Sequence, residues 1–186
     1  MSTAVTTAEA TLVPAGTWNI DPSHSSIGFS VKHMVIATVR GRFATFSGSV
    51  TTDADGLTSV TGAIDAGSID TNEPQRDGHL RSADFFEVET HPQITFASTR
   101  VEPTGDGEFR IVGDLSIKGT TREVTLDAEV QGAGADPYGN ERVALEAKGE
   151  VNRKDFGLNW NQVLEAGGVL VGEKIRLTLD LSTVRA

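Results

Sequence analysis

The chain of 186 residues is 38% hydrophobic, carries a formal charge of −10 and contains no cysteine. That length fits one domain with a real core, and the missing cysteine removes disulfides, thiolate metal sites and a thiol nucleophile. The acidic balance disfavours nucleic-acid backbones and anionic lipid headgroups as partners of the average surface, while leaving room for a local basic patch.

The opening stretch MSTAVTTAEATLVPAG has no basic leader region and no apolar run of about seven residues, so residues 1–15 read as a solvated, disordered tail ahead of one domain over 16–186. No stretch approaches the ~18 apolar residues that span a bilayer, and the expected location is the cytoplasm. Trp18 lies where the tail enters the fold and reads as the anchor of the first strand. SIGFSVKH then starts a period-two alternation, with Ile27, Phe29 and Val31 on one face and Gly28, Ser30 and Lys32 on the other. Weaker strands are expected near 44–52, 59–66 and 93–101. FRIVGDLSIKG is the clearest, with Phe109, Ile111, Gly113, Leu115 and Ile117 sharing one side. The same pattern predicts strands that point Val124 to Val130, Val143 to Val151 and Ile175 to Leu181 inward at alternate positions. DADG (53–56), PTGDG (103–107), KGTT (118–121) and ADPYGN (135–140) supply turns between them. Eight or so strands, each with one wet and one dry face, suit a closed antiparallel barrel, and a two-sheet sandwich would show the same alternation.

Seven of the thirty inward positions are small: Gly48, Gly62, Ser98, Gly113, Ala128, Ala147 and Gly149. An eight-stranded barrel either fills itself with side chains or holds one small ligand. Small residues at the waist favour the ligand, unless those glycines mark bulges.

Residues 66–92 break the rhythm, and a connection of this length in a compact β domain is usually a lid or binding loop. RDGHLRSADFF (76–86) has the features of a short helix capped by Asp77, followed by two large apolar bodies, Phe85 and Phe86. Its charges do not make a catalytic pair, since Asp77 and His79 are two apart and point away from each other on a helix. No HExxH, GxSxG or glycine-rich phosphate motif occurs among the chain's residues. The expected role of Arg76 and Arg81 is to fix the loop's path through forked hydrogen bonds to carbonyls or nearby carboxylates. An alternative remains open: a histidine-dependent hydrolase or isomerase that uses His24, His33 or His79 on a hydrophobic substrate in the same cavity.

Five stretches occur in order: GTWNIDPSHSSIGFSVKHM (16–34), VRGRFATFSGSV (39–50), RDGHLRSADFFEVETHPQITFAST (76–99), GDLSIKGTTREVTL (113–126) and NRKDFGLNWN (152–161). Together they resemble the YceI family of polyisoprenoid-binding proteins. The resemblance implies an all-β fold: an extended eight-stranded antiparallel lipocalin-like barrel with a short helix in the long loop. It also implies an apolar tunnel holding a long-chain amphiphile, such as a polyisoprenoid or isoprenoid quinone, with no catalytic residue, cofactor or metal. Family members include homodimers, so a homodimer is expected as well. Many are exported with a leader peptide, whereas none is visible here, which points to an intracellular carrier. The candidate tunnel residues are Ile27, Phe29, Val31, Phe46, Phe85, Phe86, Phe96, Leu115, Ile117, Phe156 and Trp160. Candidates for the polar head group are His24, His33, Arg40, Arg42 and Arg76. Arginines suit a pyrophosphate through paired donors, and a quinone ring would stack on Trp160 or Phe85.

Overall fold

A computed structural model describes residues 13–186, so residues 1–12 of the expected tail lie outside the described part. The strands are β1 (Gly16–Ile20), β2 (Ser26–His33), β3 (Ala37–Phe43), β4 (Phe46–Asp53), β5 (Gly56–Asp65) and β6 (Ile69–Asp70), then helix α1 (Pro74–Arg81). They continue with β7 (Gln93–Gly105), β8 (Glu108–Ile117), β9 (Thr120–Ala135), β10 (Glu141–Asn152) and β11 (Val171–Arg185). The ring closes through eight antiparallel strands in the order β1, β4, β5, β7, β8, β9, β10, β11 and back to β1. Closure satisfies the alternation: in β8, Phe109, Ile111, Leu115 and Ile117 are buried while Arg110 and Asp114 face water.

Every expected strand forms, yet the ring is not made of the eight that the alternation named. β1 closes it, and β2 follows β1 end to end along the same edge of β11. The reason is the length of β11, fifteen residues, which pairs β1 through Thr183–Arg185 and β2 through Ile175–Asp180. A one-turn 3-10 helix, Pro22–His24, kinks the chain between the two pairings, with the Asp21 side chain accepting from the Ser23 amide. β3 then adds to β2, and β6 adds to β3 at Arg42 and Phe43. β3 escaped the sequence pattern because its dry face carries Gly41, where an added Cβ would lie 2.3 Å from the Phe29 ring.

One end of the barrel is packed solid. Trp18, Val50, Leu57, Phe109 and Val143 fill it in one buried cluster. The Trp18 indole N–H donates to Thr52 Oγ1 at 2.8 Å, and Arg185 lies over its ring at 4.7 Å. Burying an indole of this kind contributes on the order of 5 kcal/mol gross. Trp18 therefore anchors the first strand, as expected from its position.

The opposite end is covered by α1, residues 82–92 and the segment after β10. The helix begins at Pro74, not at the expected Asp77 cap. Glu73 is the N-cap and accepts from the Gln75 and Arg76 amides, with proline in the first turn where its missing N–H costs nothing. Asp77 then falls inside the helix, buried, where it accepts from the Thr71 amide and hydroxyl. Arg81 donates to the carbonyls of Gly67 and Ile69, and Arg76 to the Thr71 carbonyl and hydroxyl. The charged loop is thus a brace, whose arginines satisfy backbone carbonyls that lack ladder partners.

Candidate ligand cavity

Between the packed end and the helix-covered end lies a cavity of about 220 Å³. The polar side chains among those lining it are Ser47, Thr61, Thr95 and Arg153; the rest are apolar or glycine. Nine of the eleven residues expected at a tunnel line it: Ile27, Phe29, Val31, Phe85, Phe86, Phe96, Leu115, Ile117 and Phe156. Phe46 and Trp160 are not in the lining. Phe46 is buried and pairs across the sheet with Ile64. Trp160 packs outside the cavity in an aromatic group, its ring centroid 5.5 Å from Phe85 and 4.7 Å from His79.

The small residues do not all make room. At Gly113 an added Cβ would sit 2.5 Å from the Phe96 ring, at Gly149 2.5 Å from Leu126, and at Gly48 2.4 Å from the Thr61 carbonyl and 2.8 Å from Ile20. Those glycines let a neighbour's side chain or, at Gly48, the adjoining strand's backbone come close, so they are filled, and Ser98 accepts from the Val60 amide at a bulge. Gly62, Ala128 and Ala147 line the cavity. A Cβ at Gly62 would approach only the Ser47 carbonyl, at 3.5 Å.

Arg153 was not among the sequence candidates. It is 4% exposed and donates to the carbonyls of Leu158, Trp160, Val171 and Gly172, at 2.6 to 3.2 Å. Burial pulls its guanidinium below the usual range and Glu173 pulls it back up. Arg153 ties both roots of the 158–171 segment to the end of β10, and it brings a cation to a wall that is otherwise dry. The signal was present in the alternation: one more step of two beyond Val151 lands on 153.

The five head-group candidates are scattered. His24 is exposed and bonded through Nδ1 to Asp21 at 2.7 Å. His33 ends β2 and pairs with Val171, beside the cavity. Arg40 and Arg42 line a shallow surface depression with Asp70 and Thr71, and Arg42 meets Asp70 at 3.3 Å. Arg76 is held by Thr71. His24 and His33 bracket the whole of β2, roughly 23 Å or more at about 3.3 Å per residue, so they do not converge. His79 bonds Asp84 at 2.8 Å. Among the described residues no group of three or more His, Asp or Glu is placed to hold a metal ion. On the outer wall Arg142 bridges Asp136 and Asp21 at 2.8 and 2.9 Å. Hydrogen bonds from Ser23, then Arg142 and His24, hold the Asp21 carboxyl well below the usual range; Asn140 and then Arg142 do the same for Asp136.

The signature of the YceI-like domain matches residues 18–183. The chain belongs to the YceI-like family. A UPF0312 protein of Staphylococcus epidermidis is 39% identical over 162 residues, covering 86% of this chain and 92% of that protein. A UPF0312 protein of Staphylococcus aureus is 36% identical over the same shares. Among solved structures, the YceI protein of Campylobacter jejuni aligns with a TM-score of 0.71 at 25% identity, over 83% of this chain and 90% of that one. BcnA of Burkholderia cenocepacia shares the fold with a TM-score of 0.77 at 24% identity, over 88% of this chain and 98% of its own. A polyisoprenoid binding domain from Saccharophagus degradans shares it with a TM-score of 0.69 at 16% identity, over 92% and 99%. In this YceI-like domain the five sequence stretches fall on the kinked β1–β2 strand, β3–β4, the helical brace with β7, the β8–β9 hairpin and the turn holding Arg153. No helix among the described residues is long and apolar enough to cross a membrane.

Proposed function

We propose that this protein is a non-catalytic carrier, working in the cytoplasm, for a long-chain apolar amphiphile: a polyisoprenoid, an isoprenoid quinone or a similar lipid. The observation that carries this is the cavity of about 220 Å³, dry along its walls and stopped at one end by the Trp18 plug. A cavity of ~150 Å³ lined by Leu, Ile and Phe takes up a benzene ring. On that scale the space here suits on the order of ten tail carbons, worth about 8 kcal/mol gross at ~0.8 kcal/mol per methylene before ordering costs. Such walls select length and width over identity. The polyisoprenoid binding named for the Saccharophagus degradans domain supports the same ligand class for this chain.

The head group belongs at the end opposite the plug. Arg153 is the charged side chain lining the cavity, and His33 of the original candidates stands beside it through the pairing with Val171. Arg153 carries four carbonyls and, among the described residues, no carboxylate within ion-pair distance, so an anionic or carbonyl-bearing head group complements its charge. The histidine-dependent alternative has no histidine in the lining with which to act.

Native mass spectrometry of the purified full chain tests the proposal. The expected result is an adduct of several hundred daltons that organic extraction removes and that added polyprenol or ubiquinone restores. A bare protein mass, with no uptake of either lipid, overturns it.

A further inference from the structure

We infer that the turn joining β2 to β3 is a membrane-docking tip, which sets the end of the barrel opposite the plug against the interfacial zone of a lipid bilayer. The inference goes beyond the ligand assignment and borrows from it only the placing of the head group at the end opposite the plug.

The first observation is where exposed apolar bulk collects. Met34, Val35 and Ile36 stand at the tip, the last two 71% and 83% exposed. Val163 and Val169, from the 158–171 segment, add to the same end, joined to the tip by the Met34 amide donating to the Leu170 carbonyl at 2.8 Å. Among the large hydrophobics exposed in the described residues, only Tyr138 lies elsewhere, in the turn at the plugged end. Three successive exposed apolar residues on a protruding turn are a liability in a free soluble protein and need a function to explain them.

The second observation is backbone strain at the same place. Met34 and Val35 have φ of 52° and 66°. A β-branched valine in the left-handed region is costly, and consecutive left-handed residues in a hairpin turn are the preferred place of Asn-Gly. A turn shaped only by folding would carry those polar residues. Large apolar side chains held there against backbone preference mark a tip whose side chains do something.

The third observation is charge. In a chain with 26 acidic residues, none lies between Asp21 and Asp53, whereas Lys32, Arg40 and Arg42 do. Lys32 and Arg40 flank the tip and have no carboxylate within 4.0 Å among the described residues; Lys32 bonds Thr38 Oγ1 instead. Apolar side chains at a tip with unpaired cations behind them match the acyl boundary and the phosphate layer of an anionic bilayer, in that order of depth. A second copy is a poorer occupant, since a two-fold pairing of tips would bring the Lys32 and Arg40 cations of one copy towards those of the other.

The fourth observation is position. Val31 and Val171 line the cavity, and Val171 pairs with His33 at the root of the turn. A bilayer meeting the tip therefore meets the end of the barrel opposite the Trp18 plug, where a lipid would enter the cavity from the membrane without crossing water.

Flotation of the full chain with phosphatidylcholine vesicles, with and without phosphatidylglycerol, tests this. The wild type is expected to float, more strongly with phosphatidylglycerol. The double variant M34N/V35G, which suits the backbone of the turn, should fold at least as well and lose vesicle binding by about tenfold or more. K32Q/R40Q should lose only the phosphatidylglycerol-dependent part. Uptake of ubiquinone from an ethanol dispersion should be unchanged in M34N/V35G, which separates docking from ligand binding. Failure of the wild type to float on either vesicle, or equal flotation of M34N/V35G, overturns the inference. So does a concentration-dependent dimer that M34N/V35G abolishes while neither protein binds vesicles.

Discussion

Replacing Gly62 with larger residues should empty the protein of its ligand without unfolding it. Gly62 sits on the dry face of β5, its φ is not in the left-handed region, and a Cβ there meets only the Ser47 carbonyl at 3.5 Å. Removing a strand glycine contributes roughly 0.5–1 kcal/mol by itself, and an unhindered side chain finds apolar walls to pack on. In G62F the phenyl ring takes up space like that of a benzene in a ~150 Å³ cavity, most of the 220 Å³ available here. Excluding about six tail carbons removes roughly 5 kcal/mol of gross transfer energy. After the ordering costs that a shorter insertion avoids, a net loss of about 2–4 kcal/mol remains, a roughly 30- to 1,000-fold rise in Kd. The assay is displacement of a fluorescent polyene fatty acid from G62A, G62L and G62F, alongside thermal melts. Affinity should fall in that order while Tm holds or rises. Wild-type affinity in G62F with an intact melt would refute the placement of the ligand in this cavity.

Other expectations follow from named contacts. R153M takes the guanidinium away from the carbonyls of Leu158, Trp160 and Gly172, and leaves that of Val171 with the Asn161 side-chain amide alone. It should cost about 3–5 kcal/mol and lower Tm by roughly 6–20 °C, and R153K should rescue little because a point ammonium cannot reach four carbonyls in a fork. Hydrogen exchange should show lost protection at residues 158–172 first. R142M should lower Tm at neutral pH through Asp136 and Asp21. Both carboxyls are held low in the folded state, so their stabilisation is present above the unfolded value of about 4 and is lost as pH falls below it. The Tm gap between R142M and wild type should therefore shrink from pH 6 towards pH 2, as melts across that range will show. M34N/V35G should raise Tm by a few degrees, since relieving left-handed strain contributes about 1–2 kcal/mol.

The barrel was legible because alternation is a local signal that a closed sheet makes global: Phe109, Ile111, Leu115 and Ile117 each report the same dry face. What stayed hidden has physical causes. β1 contributes only five residues, and its membership of the ring depends on the length of β11, a contact across more than 160 positions of chain. β3 hides its dry face behind Gly41, whose missing side chain is replaced by Phe29. Small inward residues suggested a hollow, but a glycine is ambiguous until its neighbours are placed: Phe96 covers Gly113, while nothing covers Gly62. The helix start was misplaced because Asp77 is a preferred cap by type and Glu73 is not, while Pro74, suited to the first turn, marked the earlier start. Arg153 was overlooked because a charged residue is taken as an outward one, although its parity with Val151 says otherwise.

The empty middle has an energetic consequence of its own. A cavity of about 220 Å³ forgoes roughly 5 kcal/mol at ~24 cal/mol per Å³, a large share of the 5–15 kcal/mol that holds a typical domain together. Folding alone would favour larger residues at Gly62, Ala128 and Ala147, and G62F should show that by melting higher. The ligand offsets the same deficit only when bound: at a free concentration of ~100 Kd it adds about 2.7 kcal/mol, or roughly 5–10 °C in Tm for a chain of this size. The sign of the two effects then separates the causes. Ubiquinone or polyprenol should raise the Tm of the wild type and leave that of G62F unmoved; an equal rise in both would place the bound lipid outside the barrel.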